Sequence, residues 1–501
     1  MVVHSIELWI VYSKANYFAL NYFQFGVNLM DIRRVRLNDE RNATVLSNDL
    51  VRAVIDDRSG RLVAYSAMNI HGGWVNAHKL HQFPFSRDTA LQNQLSLSMR
   101  CELLERLNGY QMRIKEARTS EEKEEEPLTS AESLQDADDE VLHDPLPSFN
   151  KFDTESVPDK VETKEKSTEP VASDSQDNED LLDDLYDRSR PSWVVERYGS
   201  DFKSGAVWML SKKEIIPKSI KWRAERLDVV LPNHPCVYSV LYITNVSLGD
   251  LLCDIGYDNA LAAPFLESGC QINTSCDQWS VVKHGRCFGC AGHIIKDEKT
   301  FSLDKIPLSN NSTIDLKTVP GPLGTTDAMM GKNNMQEKGP IWASVINPKQ
   351  QLVYLTFTPG VEDRTPFDIP LSHSTLLFDY GGRSLPPWSL YEGGTSNEFS
   401  LHLGACTSDL SNNDAVVIKS GRTKRMMYAR ALTSYDNFRM GGNFNSLEMF
   451  NHNIVLKRTR SSIVIPSDPH FAQVKELAKR LVPYFDLDDD EEKKDEIEKI
   501  D

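Results

Sequence analysis

The chain lacks a run of eighteen apolar residues, so nothing in it reads as a transmembrane helix, and no membrane partner is expected. It also lacks a basic stripe interleaved with aromatics, which argues against a nucleic-acid reader. Cysteine is sparse, eight in 501 residues, too few for a disulfide-built scaffold of this length. Cys287-Phe288-Gly289-Cys290 has a zinc-like spacing and His293 lies beyond it. Five residues separate Cys270 from Cys276, however, outside the usual knuckle, so no metal and no cofactor are expected. Helical periodicity is absent from most of the chain.

Charge is abundant but unevenly spread. Of a net −17, Glu116 to Asp187 alone carries 25 acidic and 6 basic residues, a net of −19 that leaves the remainder near +2. This stretch is poor in aromatics and rich in Glu, Asp, Ser, Thr and Pro, so it cannot bury enough surface to offset chain entropy. Residues 116–187 are expected to be a disordered insertion between two strands of one domain, which a logarithmic loop-closure cost allows. Such an insertion could recruit a protein partner, and Thr119 and Ser133 each have an acid three residues downstream, as an acid-directed kinase requires. Residues 486–501, with a net of −7, read as an acidic tail.

The N-terminal stretch is apolar, but His4, Glu7 and Lys14 interrupt any signal-peptide core, so residues 1–29 are expected to be an irregular extension of a cytoplasmic protein. Short strands follow at Thr44–Ser47, Leu50–Ile55 and Arg61–Ser66, turning at Asp56 to Gly60. His71, His78 and His81 sit with Trp74 on a stretch that reads as a polar, partly exposed loop or the lining of a ligand pocket. Leu95 to Lys115 reads as two strands paired around Asn108-Gly109. From Trp193 onward, strands recur through Ile454–Lys457 without helical patterning between them, which means an all-β sandwich or barrel. Phe471, Val474, Leu477, Ala478 and Leu481 then fall at helical spacing, with Ser467 and Asp468 as cap candidates. The β domain is expected over 30–115 and 188–462, with a helical segment over 463–485.

The most informative stretch runs from Cys236 to Cys270. Val237 to Val246 is apolar on both faces, a strand buried between two layers. A turn at Asn245 to Asp250 and a second strand from Leu251 complete an expected hairpin, which exits through Pro264-Phe265-Leu266-Glu267-Ser268-Gly269. This succession resembles the middle of the galactose mutarotase-like superfamily, in particular its aldose 1-epimerase-like branch. Trp388 followed by Glu392-Gly393-Gly394-Thr395-Ser396 resembles that branch's second motif, a tryptophan before Glu-Phe-Gly-Thr-Ser-Pro.

The resemblance implies a galactose mutarotase-like β-supersandwich and a carbohydrate or sugar-phosphate ligand. It places Glu392 as the general base of anomer interconversion. Where the branch carries a histidine six residues before the proline, this chain has Asp258. The missing imidazole is sought at His234, just before the central strand, or at His402, whose strand alternation could aim it outward. Trp388 and Trp279 could stack on a pyranose ring or fill the core, and Asn259 joins them and His402 as a candidate substrate contact. Three outcomes follow: an epimerase, a sugar-binding module without turnover, or a scaffold acting through its insertion.

Overall fold

The computed structural model describes residues 30–37, 42–78, 105–116, 193–215, 222–281, 294–296, 300–333, 339–380, 400–407, 416–435, 444–458 and 461–482, apart from 58, 59, 61, 108, 109, 322 and 445. All belong to one unit, Met1–Ala117 with Leu185–Asp501. The second unit, Arg118–Asp184, and the expected N-terminal extension and acidic tail lie outside the described residues.

Strands β1 (Asp31–Arg36), β2 (Asn42–Ser47), β3 (Val51–Asp56), β4 (Leu62–Met68) and β5 (Trp74–Asn76) form an antiparallel meander in chain order. β6 (Glu105–Leu107) and β7 (Tyr110–Glu116) pair around Asn108-Gly109, as that dipeptide predicts. β8 (Val194–Ser200), β9 (Val207–Ile215), β10 (Trp222–Val230) and β11 (Cys236–Asn245) follow as successive antiparallel neighbours. The chain continues through β12 (Leu251–Ala262), β13 (Gln271–Thr274), β14 (Trp279–Val281), β15 (Ile306–Pro307) and β16 (Thr313–Ile314). Then come β17 (Thr325–Lys332), β18 (Trp342–Asn347), β19 (Leu352–Phe357), β20 (His373–Tyr380), β21 (Ser400–Cys406), β22 (Val416–Ile418) and β23 (Thr423–Ser434). A small sheet of β24 (Ser446–Phe450), β25 (Asn453–Arg458) and β26 (Ser461–Pro466) precedes helix α1 (Ala472–Leu481).

Two large antiparallel sheets dominate. The first has the order β13-β18-β19-β23-β11-β10-β9-β8, the second β14-β17-β20-β21-β12-β7-β6 with β22 beside β12. Consecutive strands β11 and β12 therefore lie in different sheets. The hairpin expected from Val237 to Tyr257 does not form: β11 pairs with β10 and β23, and the turn at Asn245 carries the chain across to the second sheet. The physical reason is visible in β11 itself, all ten residues of which are buried. A strand apolar on both faces is satisfied at the centre of a covered sheet.

Both faces of the first sheet are covered. Tyr238, Val240 and Tyr242 of β11 pack with Phe471 just before the C-terminal helix, with Val474 and Leu477 within it and with Ile454, Leu456 and Ile465 of the small sheet. On the other face, Val237 packs with Tyr65, Leu261 and Leu403, and Leu241 and Ile243 with Tyr257 and Ile255. The interior thus lies between the first sheet and a layer made of the second sheet and the N-terminal meander. Asp468, one of the expected caps, accepts the N–H groups of Ala472, Gln473 and Val474 at 3.0, 2.7 and 3.2 Å. Among the described residues no helix is long and apolar enough to cross a membrane.

Candidate functional site

β12 and β21 are antiparallel neighbours in the second sheet, with Asp258 opposite Gly404, Asn259 opposite Leu403 and Ala260 opposite His402. Because successive side chains of a strand point to opposite faces, this register sends Asp258 and Asn259 to different sides. Asn259 faces the interior. Its amide nitrogen donates to Thr356 Oγ1 at 3.4 Å and to the Leu403 carbonyl at 3.2 Å, and its carbonyl oxygen accepts from Arg430 Nε on β23. Tyr257 likewise turns inward and stacks on Tyr428 with ring centroids 4.1 Å apart.

Asp258 and His402 share the opposite face. His402 Nδ1–H donates to Asp258 Oδ2 at 2.9 Å, and the two side chains are only 4% and 6% exposed. The pair is diagonal across the β12–β21 ladder, two residues out of register, within reach of an imidazole. No side chain stands between them, because the residue opposite Asp258 is Gly404. A Cβ there would come within 1.9 Å of the Tyr257 carbonyl oxygen.

A polar layer lies behind this pair in the interior. Arg430 donates to Asn259, to the Tyr428 hydroxyl and to Ser239 Oγ, the last at 3.4 Å, and Ser239 in turn donates to Asp228 at 2.7 Å. Asp228 also accepts from Arg226 Nε at 2.5 Å. His78, from the N-terminal meander, sits in a bridge with Leu261 of β12 and places its Nε2 3.2 Å from the Tyr354 hydroxyl. Burial, reinforced by the Arg430 charge, lowers the His78 pKa to about 3, so this imidazole is neutral at physiological pH.

The other expected residues fall elsewhere. His234 is buried, with Nδ1 2.9 Å from the Tyr238 hydroxyl, and burial lowers its pKa to about 4. Tyr238 packs edge-on against Phe471, the residue just before α1, whereas the next residue, Ser239, turns inward to Asp228. His234 therefore belongs to the helix-covered face of the first sheet and is not brought to Asp258. Trp279 is 1% exposed in the core, its Nε1–H donating to the Cys276 carbonyl at 3.1 Å. It stands four strand positions from β12, about 19 Å at the usual strand spacing.

Glu392 and Trp388 lie outside the described residues, but the strands that bracket them do not. Asp379 pairs with Ser400, and Ser400 with Ala262. The end of β20, the start of β21 and the end of β12, from which the Pro264-to-Gly269 loop departs, thus lie side by side at one end of the second sheet. Asp258 and His402 lie four and two residues inside that end.

Cys270 and Cys276 are buried, their thiols pushed up to about 12 and about 11 by burial, while Cys287, Cys290 and His293 lie outside the described residues. Among the described residues no cluster of His, Cys, Asp and Glu could hold a metal ion. Sequence reading missed Arg430 and Tyr354. The signal for Arg430 was an arginine between the apolar stretches Met426-Met427-Tyr428-Ala429 and Ala431-Leu432, but charge there hides strand periodicity instead of marking a site.

No family model matches the chain, and no curated protein matches it. Solved structures do. A galactose mutarotase-like protein from Clostridium acetobutylicum covers 81% of this chain and 99% of its own, at 9% identity and a TM-score of 0.43. A galactose mutarotase related enzyme from Lactobacillus acidophilus covers 78% and 97% at 6% identity and a TM-score of 0.37. An aldose epimerase homologue from C. elegans covers 77% and 97% at 8% identity, also with a TM-score of 0.37. This chain is similar to these galactose mutarotase-like structures over most of its length, and at these identities and TM-scores the likeness says nothing of its activity.

Proposed function

We propose that this protein binds a sugar on the outer face of the second sheet and interconverts its anomers by general acid/base ring opening. The buried contact between Asp258 and His402 carries this reading. A branch that uses a histidine at the position of Asp258 would need an imidazole from elsewhere, and His402 supplies one two residues away in register. Asp258 holds the Nδ1–H, which directs Nε2 as the atom that exchanges a proton with the ring oxygen. Glu392 removes the anomeric hydroxyl proton. As the bond from the anomeric carbon to the ring oxygen breaks, its electron pair goes to the ring oxygen, which takes the proton from His402. The free aldehyde turns about its adjacent carbon–carbon bond, and the reverse steps close the ring on the other face. Support for Glu392 comes from its motif, Trp388 followed by Glu392-Gly393-Gly394-Thr395-Ser396, and from the end of β20 and the start of β21, which lie beside the end of β12.

A second reading, a sugar-binding module without turnover, is favoured by the carboxylate at 258 in place of the imidazole. Polarimetry and NMR exchange on aldoses and their phosphates separate the two. The catalytic reading expects turnover by the natural protein and losses beyond about a hundredfold in Asp258→Asn, His402→Gln and Glu392→Gln. Saturable sugar binding with no anomer exchange would leave only the module.

A further inference from the structure

A cleft lies at the far edge of the same sheet. Trp279 of β14 exchanges both backbone hydrogen bonds with Phe301, at 2.8 Å each, which extends the sheet beyond its last strand. The chain then folds through β15 and β16, fixed by Lys296 N–H to the Pro307 carbonyl at 2.9 Å and Leu308 N–H to the Ser312 carbonyl at 2.8 Å. The cleft between these segments has a volume of about 510 Å³, within the range of small-molecule sites.

Its chemistry is one-sided. Lys296 and Lys305 both line it, together with Thr300, Ser302, Ser312 and Asn311, and no carboxylate is among the described lining residues. The Ser312 hydroxyl donates to Asn310 Oδ1 at 2.6 Å and that of Ser302 to Asp304, which leaves the two ammonium groups, the Thr300 hydroxyl and the Asn311 amide to face a ligand. Both ammonium groups are exposed and face one cleft. Lys296 Nζ donates to Asn311 Oδ1 at 3.4 Å, which holds one cation beside the Asn311 amide. Asn311 holds a left-handed backbone with φ of 64°, a conformation asparagine tolerates, at the turn that closes this wall. Lysine point charges beside the Thr300 hydroxyl and the Asn311 amide suit a tetrahedral oxyanion, whose oxygens accept from them. Phe301, Pro307 and Leu308 supply an apolar wall for the rest of such a ligand.

We infer that this cleft is a second ligand site, which takes the phosphate or sulfate group of a small-molecule ester. It is separate from the Asp258–His402 face: β14 and β12 are four strand positions apart, about 19 Å, too far for one monosaccharide phosphate to span. The inference therefore stands independently of the proposed sugar chemistry.

The test uses the full chain with inorganic phosphate and inorganic sulfate, each titrated against chloride at constant ionic strength and read by thermal shift. Saturable stabilisation by either anion is expected, and the anion that responds assigns the ester. The double substitution Lys296→Gln with Lys305→Gln should weaken the dissociation constant by at least about tenfold, and Lys305→Arg should retain most of the affinity. Should the double variant melt lower in chloride, the exposed Lys305→Gln alone carries the comparison, with a smaller loss expected. No saturable response to either anion, or an equal response in the lysine variants, would overturn the inference.

Discussion

Arg430 on β23 reaches across the interior to the side-chain oxygen of Asn259 on β12, the residue immediately after Asp258. The two large sheets are thereby joined by a charge-assisted hydrogen bond directly behind the candidate site. Breaking it should cost more than the contact itself, because Asn259 and Tyr428 would be left with unmet hydrogen-bonding capacity in a buried layer. Arg430→Met is expected to lower unfolding free energy by about 3 kcal/mol, and Asn259→Ala by about 1–2 kcal/mol. Denaturant titration of both single variants and the double variant measures this. The double variant should lose less than the sum of the singles, and strict additivity would refute the coupling.

Acid should destabilise the protein through His78. Its folded pKa is depressed to about 3 from an ordinary value near 6.5, so between those values the unfolded chain binds a proton that the folded chain does not. Stability from this group is complete above pH 6.5 and falls by about 1.4 kcal/mol per pH unit as pH drops toward 3. The groups acting on the ring are Arg430 and His402, which oppose its protonation, and Asp258, which favours it. His234, depressed to about 4 by burial, adds a loss of the same sign. Urea titrations at pH 7, 6 and 5 should show a declining midpoint, and His78→Gln should flatten the decline by about one proton. An unchanged slope in that variant would show that His78 is protonated in the folded state.

Gly404 should tolerate no side chain. A Cβ there would meet the Tyr257 carbonyl oxygen at 1.9 Å and Thr375 Oγ1 at 2.8 Å, and the first of these is backbone that cannot step aside. Gly404→Ala is expected to cost more than about 3 kcal/mol or to leave the protein insoluble. Gly249 serves as the control, since nothing lies within 4 Å of a Cβ built on it. Comparable melting temperatures for the two alanine variants would contradict the close approach of β12 and β21.

The pairing of Asp258 with His402 was half legible. Both residues stand out in the sequence, but strand alternation states only that a side chain points to one face or the other. Which face of β21 meets which face of β12 follows from the register Ala260 opposite His402, a long-range pairing across 142 positions of chain. The favoured partner from sequence, His234, is close to β11 along the chain but on the wrong side of its sheet. The twelve-residue β23 went unseen as a strand although it lies at the centre of the first sheet. Its buried Arg425 and Arg430 interrupt the apolar pattern, and their partners, Asp368 and Asn259, come from distant segments.

By itself the sequence determined the all-β class, the three strands β2 to β4 of the N-terminal meander though not β1 or β5, the Asn108-Gly109 hairpin and the C-terminal helix with Asp468 at its head. These rest on local physics: alternation, turn chemistry and capping act between residues a few positions apart. Only the tertiary structure decided that β11 and β12 part into separate sheets, that His402 rather than His234 meets Asp258, and that Arg430 stands behind them. Those outcomes depend on which surfaces bury one another, a choice made by long-range packing and by the need to pair every buried charge.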